Sequence, residues 1–355
     1  MNVLTTSLCL LLAATLGPAA AQESESLKHY RDGIEQLKNR NFRNATIELE
    51  KAAETDKGNG KIFYALGQAY EALSEYDKAV GAYETTLSLG QYQDRIPKRL
   101  AKLYYKSGID LYSQKKYADA VKALQKSLEH GPGNAQAHFA IGLCRVSLRD
   151  EPGAQKAFEE AIAADAGYVK AHKALGDIHY RKREYASAMA EYEKAIAIDA
   201  GFVKAYGGLG RALIDSGDLE GAVARMAAAV EQNAKYADGF LLQGLALVKL
   251  QRFHEAVPPL RRAIELESKN AEAHYRLAEA LYGKGEYREA ILAGEQALRR
   301  RKDFHAAEVV LGDSHAKLGQ TQEARTWYNR ALRDNRFRDY AQHQLDELDA
   351  AARRQ

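Results

Sequence analysis

The chain has 355 residues and a formal net charge of +3, which indicates neither a nucleic-acid partner nor a strongly acidic one. Charged residues make up 28% of the sequence and there are only six prolines, so long uninterrupted helices are possible. Helix-favouring residues recur throughout, whereas long strand-type runs of Val, Ile and Thr are missing. The composition therefore favours an all-helical protein built as one repeat array over two or three globular domains.

The first 21 residues predict a secretory signal peptide. They contain no charged side chain, and an apolar core over 8–16 is followed by Gly17-Pro18 and the three alanines 19–21. This segment is too short to span a bilayer, and its small residues suit cleavage by a signal peptidase near Ala21. An uncleaved anchor or a disordered tail is the alternative interpretation, because no Lys or Arg precedes the apolar core.

The predicted removal of the signal peptide determines whether a disulfide can form. Removal of 1–21 leaves Cys144 alone, so no intramolecular disulfide can form. An exported protein without disulfides fits the bacterial periplasm better than a eukaryotic extracellular space. Cys9 lacks the context of a lipoprotein signal, so we expect membrane association to be at most peripheral.

A glycine recurs along the chain with a period of 34 residues. From Gly142 onwards every interval is 34, and Ala278 replaces glycine in one copy. The glycines of this column are Gly33, Gly67, Gly108, Gly142, Gly176, Gly210, Gly244 and Gly312. Because the interval from Gly67 to Gly108 is 41, one junction between repeats carries seven additional residues.

A second column lies about twelve residues after each glycine. In nine segments of eleven residues, from 42–52 to 321–331, the fourth residue is Ala and the eleventh is Ala, Ser or Thr. Two amphipathic helices joined by a tight turn explain both columns, because small residues allow the helix backbones to approach closely. One such pair cannot bury its apolar stripe alone, so each unit needs the next.

Together these columns and their spacing resemble the tetratricopeptide repeat, whose pattern includes Leu-Gly, Tyr, Ala, a bulky residue and Ala. The resemblance implies a right-handed α-solenoid of about nine helix-turn-helix units over 22–338, with a capping helix over 339–355. The predicted repeats are 26–59, 60–93, 101–134, 135–168, 169–202, 203–236, 237–270, 271–304 and 305–338. Gly294 stands where the pattern has a bulky residue, which predicts a thin core in the eighth repeat.

The sequence offers little catalytic or metal-binding chemistry. His138, His172 and His274 occupy the large-residue position of the repeat, where side chains pack. Metalloprotease, nucleophile-elbow and phosphate-loop motifs are missing, as are paired cysteines and calcium loops. We therefore expect a protein that is not an enzyme and holds no cofactor or metal. The basic run 299–302 is interpreted as a solvated helix end, with contact to phosphates or an anionic membrane as the alternative.

The resemblance also implies that the first helices of the repeats line a concave groove that receives a peptide. Its inward positions are apolar and aromatic in repeats three and four, basic in five and six, and apolar again in seven and eight. The candidate peptide-binding residues are Tyr105, Ile109, Tyr112, Phe139, Leu143, Lys170, Lys173, Arg181, Lys204, Arg211, Leu241, Leu245, Tyr275 and Tyr282. Val146 and Val248 continue the two apolar stretches. Some of these residues could instead pack only between neighbouring helices.

Three functions remain open at this point. The first is a non-enzymatic scaffold or adaptor in the cell envelope that binds a protein or peptide and assists assembly or secretion. The second is a carrier module whose groove holds a polysaccharide or a small hydrophobic ligand. The third is a non-catalytic subunit of an enzyme complex. No nucleic-acid partner is expected for any of them.

Overall fold

Residues 24–354 are described by the computed structural model. They form nineteen α-helices and contain no β-strand, which confirms the predicted all-α class. The predicted signal segment, 1–21, lies outside the described residues.

The described helices alternate as first and second members of nine pairs, and one further helix follows. The first helices are α1 (Glu25–Lys38), α3 (Gly60–Ala72), α5 (Ile96–Ser113), α7 (Ala135–Ser147), α9 (Val169–Arg181), α11 (Val203–Ser216), α13 (Ala237–Lys249), α15 (Ala271–Lys284) and α17 (His305–Lys317). The second helices are α2 (Phe42–Thr55), α4 (Tyr76–Ser88), α6 (Tyr117–His130), α8 (Glu151–Ala164), α10 (Tyr185–Ile198), α12 (Leu219–Gln232), α14 (Phe253–Leu266), α16 (Tyr287–Arg300) and α18 (Thr321–Ala331). The last helix is α19 (Asn335–Arg354).

The chain divides into two compact units. The first ends at Asp165 and the second begins at Ala166, so α1–α8 belong to the first unit and α9–α19 to the second. In both units the buried apolar side chains lie between consecutive helices, as expected where each helix pair completes the core of its neighbour.

In eight of the nine helix pairs, a bulky side chain of the second helix packs on a glycine of the first. In the second repeat the ring of Tyr83 is fully buried, and a Cβ added to Gly67 would lie 2.7 Å from a carbon of that ring. Phe158 packs against Gly142 in the same way in the fourth repeat. The glycine column therefore exists because a bulky side chain, a ring in four repeats and Leu or Met in four others, occupies the space that a Cβ would need.

The turn inside each pair places one residue in the left-handed region of the backbone map. Three of these residues are glycines, namely Gly217, Gly285 and Gly319. The other six are Arg40, Ser74, Lys115, Arg149, Arg183 and Gln251, with φ between 58° and 62°. A side chain in this conformation costs about 1–2 kcal/mol, so six of the nine turns carry a small backbone strain.

The expectation of a thin core at Gly294 was wrong. A Cβ at Gly294 would lie 2.9 Å from Cδ2 of Leu311, which is fully buried. Leu311 belongs to α17, the first helix of the following repeat, and it fills the space that the missing side chain leaves. The repeat pattern could not show this, because the compensating residue lies in the next repeat.

The last helix behaves as a cap, although it begins four residues before the predicted boundary. It starts at Asn335 and packs on α18, where Ala341 and Leu345 are buried beside Tyr328. Leu348 is partly buried against the same cluster. The side chains on the other face of α19 are mostly charged or polar, so that face is suited to contact with solvent.

Additional residues at the junction between repeats two and three lengthen a helix. α5 has 18 residues, about one turn more than a first helix such as α3, which has 13. In the loop before α5, Tyr92 stacks on Tyr64 with 4.4 Å between the ring centroids. In the added turn, the guanidinium of Arg99 forms a 2.9 Å ion pair with Glu71. Through Arg99, the added turn thus ties the third repeat to the second.

Two glycine substitutions in the second repeat test the packing of Tyr83. We expect Gly67→Ala to lower the free energy of unfolding by about 1–3 kcal/mol, because the new methyl group meets the Tyr83 ring. Gly81 lies inside α4 with no atom near its Cβ position, so Gly81→Ala should raise stability by about 0.5–1 kcal/mol. Urea denaturation of both variants measures the difference, and equal effects would contradict the proposed role of the ring.

Candidate functional site

A cavity on the surface formed by the first helices of the second unit collects most of the predicted basic residues. Its volume is about 200 Å³. The lining residues are Lys173, Asp177, Tyr180, Arg181, Tyr192, Lys204, Gly208 and Arg211. We refer to this site as the basic cavity. Four of the five predicted residues of the basic stretch line it, and Lys170, which is exposed at the start of α9, does not.

Helical spacing brings these side chains together. Lys173, Asp177 and Arg181 succeed one another at intervals of four along α9, so they share one face of that helix. Lys204 and Arg211 are seven residues apart on α11, which again places both side chains on one face. The cavity lies between these two first helices of consecutive repeats.

Tyr192 of α10 forms the floor of the basic cavity. Its ring is almost completely buried between the two first helices, and a Cβ at Gly176 would lie 2.8 Å from a ring carbon. Gly208 of α11 leaves the same kind of space on the other side of the ring. The phenol donates a 2.9 Å hydrogen bond to Asp177 Oδ1, and burial raises the pKa of Tyr192, so the group stays a protonated donor.

Several of the charges around the basic cavity are compensated. Lys173 Nζ lies 2.5 Å from Asp177 Oδ2, and Arg211 donates a 3.1 Å hydrogen bond to Asp238. Lys204 is exposed and forms no ion pair within residues 24–354. The lining holds four cationic side chains and one carboxylate, so the cavity has an excess of positive charge.

Tyr180 adds a second phenol at the mouth of the basic cavity. Its hydroxyl donates to Asp215 Oδ2 at 2.5 Å, and burial together with this carboxylate raises the pKa of Tyr180 to about 12. Asp215 is thereby held on α11 beside the cavity, where it partly offsets the cations.

Comparison with known proteins identifies the repeat. One family model described as tetratricopeptide repeat matches residues 30–94, 105–154, 145–201, 241–303 and 275–341, and a second model of the same description matches 179–245. These matches cover more than half of the chain. The chain belongs to the tetratricopeptide repeat family.

Solved structures of other tetratricopeptide repeat proteins share the fold. The C-terminal part of such a protein from Cytophaga hutchinsonii is similar with a TM-score of 0.55 and 15% identity, over 68% of this chain and 99% of the other. A repeat protein from Parabacteroides merdae gives 0.51 and 12%, over 70% and 99% of the chains. The APC/C hetero-tetramer Cut9–Hcn1 gives 0.51 and 15%, over 91% and 84%. A search of curated protein sequences finds no match.

The predicted apolar positions of the tetratricopeptide repeats lie on the first helices, but most are half-buried. Tyr105, Ile109 and Tyr112 of α5 pack partly against neighbouring residues, and the Tyr112 ring lies 5.5 Å from that of Tyr117. Phe139 of α7 packs on Phe158 at 5.4 Å. In the second unit, Leu241, Leu245 and Tyr282 are likewise partly buried. Each therefore keeps some surface for a ligand and also supports the core.

Tyr275 and Val248 are buried, so the prediction that they lie on the exposed surface was wrong. Tyr275 is 9% exposed and Val248 is 6% exposed, and both belong to the core of the second unit. Phe304, in the loop before α17, packs on the Tyr275 ring with 4.8 Å between the centroids. The loop at the end of the same repeat thus covers a position that the pattern treats as open.

An aromatic and basic group in the first unit was not predicted from the repeat pattern. The Arg99 guanidinium lies 5.8 Å from the centroid of the Tyr64 ring, which also stacks on Tyr92. Burial raises the pKa of Tyr30, and Tyr92 acts in the same direction. The seven-residue excess between Gly67 and Gly108 marks this region in the sequence, although it does not show which side chains meet.

Within residues 24–354, no group of three or more His, Cys, Asp or Glu side chains could hold a metal ion. His172 lies with Nδ1 2.7 Å from Glu191 and Nε2 3.2 Å from the carbonyl of Ala166, so its ring secures the start of α9. Burial raises the pKa of Cys144 to about 11, which keeps it as a thiol. None of the described helices has the length and apolar character needed to cross a bilayer.

Removing the hydroxyl of Tyr192 tests whether its hydrogen bond to Asp177 stabilises the floor of the basic cavity. Tyr192→Phe keeps the packed ring and removes the hydrogen bond to Asp177, so we expect a loss of about 1 kcal/mol in the free energy of unfolding. Tyr236 also has a raised pKa from burial, but its hydroxyl makes no hydrogen bond among the described residues. Tyr236→Phe is therefore the control and should change stability by less than about 0.5 kcal/mol. Equal losses in urea denaturation would show that the Tyr192 hydroxyl does not stabilise the floor.

Proposed function

We propose that this tetratricopeptide repeat protein is a non-catalytic scaffold that binds an acidic segment of a protein partner in the basic cavity. The observation that carries the proposal is the convergence of Lys173, Arg181, Lys204 and Arg211 around one opening. A carboxylate entering there can receive charge-assisted hydrogen bonds from more than one side.

The size of the basic cavity supports a peptide side chain as its occupant. At about 200 Å³ it is smaller than the roughly 300–1,000 Å³ of sites that enclose whole small molecules. An Asp or Glu side chain fits such a space while the peptide backbone stays outside. Lys204 is the natural first contact because no carboxylate of the described residues competes for it.

Residues beside the basic cavity indicate which side chain accompanies the carboxylate in the ligand. Leu241 and Leu245 of α13, the first helix of the next repeat, keep part of their surface exposed. An aliphatic or aromatic residue beside the acidic one would pack on them. In this arrangement charge determines specificity and the association rate, and apolar contact adds affinity.

A labelled acidic peptide tests the basic cavity directly. Fluorescein-labelled hexaglutamate should bind the purified protein, as measured by fluorescence anisotropy, and binding should weaken as NaCl is raised because exposed charges are screened. Lys204→Glu combined with Arg211→Glu should weaken binding by about tenfold or more, since two attractive charges become repulsive. Thermal unfolding should change little, because both side chains are exposed.

Matched controls separate this site from general charge attraction. Lys235→Glu with Lys269→Glu makes the same change in net charge at exposed positions of the same unit that do not line the cavity. This variant should bind hexaglutamate within about twofold of the wild type. If it loses as much affinity as the cavity variant, the basic cavity is not the site. Polygalacturonate in the same assay tests the carrier alternative, and tighter binding of that polysaccharide than of the peptide would favour it.

We further propose that the scaffold works in the cell envelope, and the uncharged apolar segment 1–21 supports this. Mass spectrometry of protein purified from its native host should find a mature chain that begins near Gln22. Cell fractionation should place it with the envelope contents. An intact Met1 in the cytosolic fraction would remove the envelope from the proposal and leave the basic cavity unaffected.

A further inference from the structure

The basic run 299–302 serves two separate purposes in the structure. Arg300 Nε donates a 2.6 Å hydrogen bond to the carbonyl of Ser268, and the Arg301 guanidinium lies 3.2 Å from the ring centroid of Phe304. Arg301 also reaches Glu272 at 3.4 Å. These two arginines hold the loops that precede α15 and α17. The other two residues of the run, Arg299 and Lys302, point to a different role.

Arg299 and Lys302 are exposed and form no ion pair among the described residues. They line a cavity of about 390 Å³ between α16 and α18, together with Glu295, Leu298, Trp327 and Arg330. Leu298 is buried and Trp327 is partly buried, so the cavity has an apolar floor. We refer to it as the tryptophan cavity.

Arg330 does not add free charge to the tryptophan cavity. Its guanidinium lies 4.8 Å from the Trp327 ring and pairs at 2.8 Å with Glu308, which is almost fully buried. This contact fixes the indole in place. The uncompensated charge therefore belongs to Arg299 and Lys302, and Glu295 opposes it at the rim.

An apolar groove lies on the other side of α16. Leu292 is 63% exposed, the largest exposure among the large hydrophobic side chains of the described residues. It lines a groove of about 520 Å³ between α14 and α16, with Ile264 and Leu277 among the other walls. Leu292 and Arg299 are seven residues apart on one face of α16, which corresponds to about 10 Å along the helix axis.

We propose that the face formed by α14, α16 and α18 binds a second protein segment, distinct from the ligand of the basic cavity. This segment carries an apolar side chain that enters the groove at Leu292 and carboxylates that meet Arg299 and Lys302. The positive charge of Arg299 and Lys302 determines that the segment is acidic. The order of the groove and the tryptophan cavity along α16 determines the order of its apolar and acidic side chains. Tryptophan and arginine are the side chains that most often anchor protein interfaces.

The geometry favours a peptide segment over a lipid surface. The groove and the tryptophan cavity lie on opposite sides of α16, so one ligand can fill both only by crossing that helix. An extended chain of about three residues covers the roughly 10 Å of axial distance from Leu292, which lines the groove, to Arg299, which lines the tryptophan cavity. A single anionic headgroup reaches only the tryptophan cavity, where it also meets Glu295.

Trp327 is the one tryptophan of the chain, so its fluorescence reports on this face without any label. The probe is the peptide acetyl-Leu-Leu-Gly-Ser-Asp-Glu-amide. It should change the Trp327 emission saturably, whereas the same peptide with Asn-Gln in place of Asp-Glu should bind at least about tenfold more weakly. Arg299→Glu with Lys302→Glu should cause a loss of similar size, and both side chains are exposed, so the fold should be preserved.

Two control variants make the result specific. Arg288→Glu reverses one exposed charge in the first turn of the same helix, outside the tryptophan cavity, and should leave the peptide affinity unchanged. Lys204→Glu with Arg211→Glu should also leave it unchanged, because those residues line the basic cavity. The proposal for this face and the proposal for the basic cavity are therefore tested independently.

Three outcomes would overturn the proposal. One is an emission change that does not saturate or that the Asn-Gln peptide produces equally well. Another is full binding by the Arg299→Glu, Lys302→Glu variant. A third is a blue shift of Trp327 with phosphatidylglycerol vesicles but not with the acidic peptide, which would assign the face to an anionic membrane instead.

Discussion

The contact of a bulky side chain on the second helix, a ring in four repeats, with a glycine on the first helix is the constraint on which the packing of most helix pairs depends. Tyr83 on Gly67, Phe158 on Gly142 and Tyr192 on Gly176 are copies of one contact. Because the glycine has no side chain, the two helices approach closely enough to bury the ring completely. Each buried ring is an energetic anchor worth several kcal/mol if removed, and it orients the first helix whose outer face remains free.

The same contact also builds the basic cavity. Tyr192 packs between Gly176 and Gly208, so it fixes the distance between α9 and α11, and its hydroxyl holds Asp177. Asp177 in turn positions Lys173. A residue that the repeat pattern assigns to packing thus sets the geometry of the charged surface above it. Stability and ligand recognition share one side chain here, and mutations of Tyr192 would affect both.

Much of the fold could be predicted from the sequence because the glycine and alanine columns record a local packing constraint that repeats. The same columns could not predict contacts made between repeats. Leu311 of the next repeat fills the space at Gly294. Within the eighth repeat, Phe304 covers Tyr275, a contact that neither column records. Lys170 and Lys204 occupy equivalent positions, but only Lys204 lines the cavity, whose walls come from two repeats. The turn residues with positive φ could not be predicted from the sequence either, because most of them are not glycine.

Arrays of similar repeats face a particular folding problem, because a helix can dock on the wrong neighbour with nearly native contacts. The junction before α5 removes this ambiguity within the first unit. Among the described repeats, only the third has a first helix of 18 residues, and Arg99 in that helix reaches back to Tyr64 and Glu71 of the second repeat. A repeat docked one position out of place would lose these contacts. The break in periodicity therefore favours the correct docking of the third repeat on the second. This arrangement has a lower energy than arrangements in which a repeat docks on the wrong neighbour.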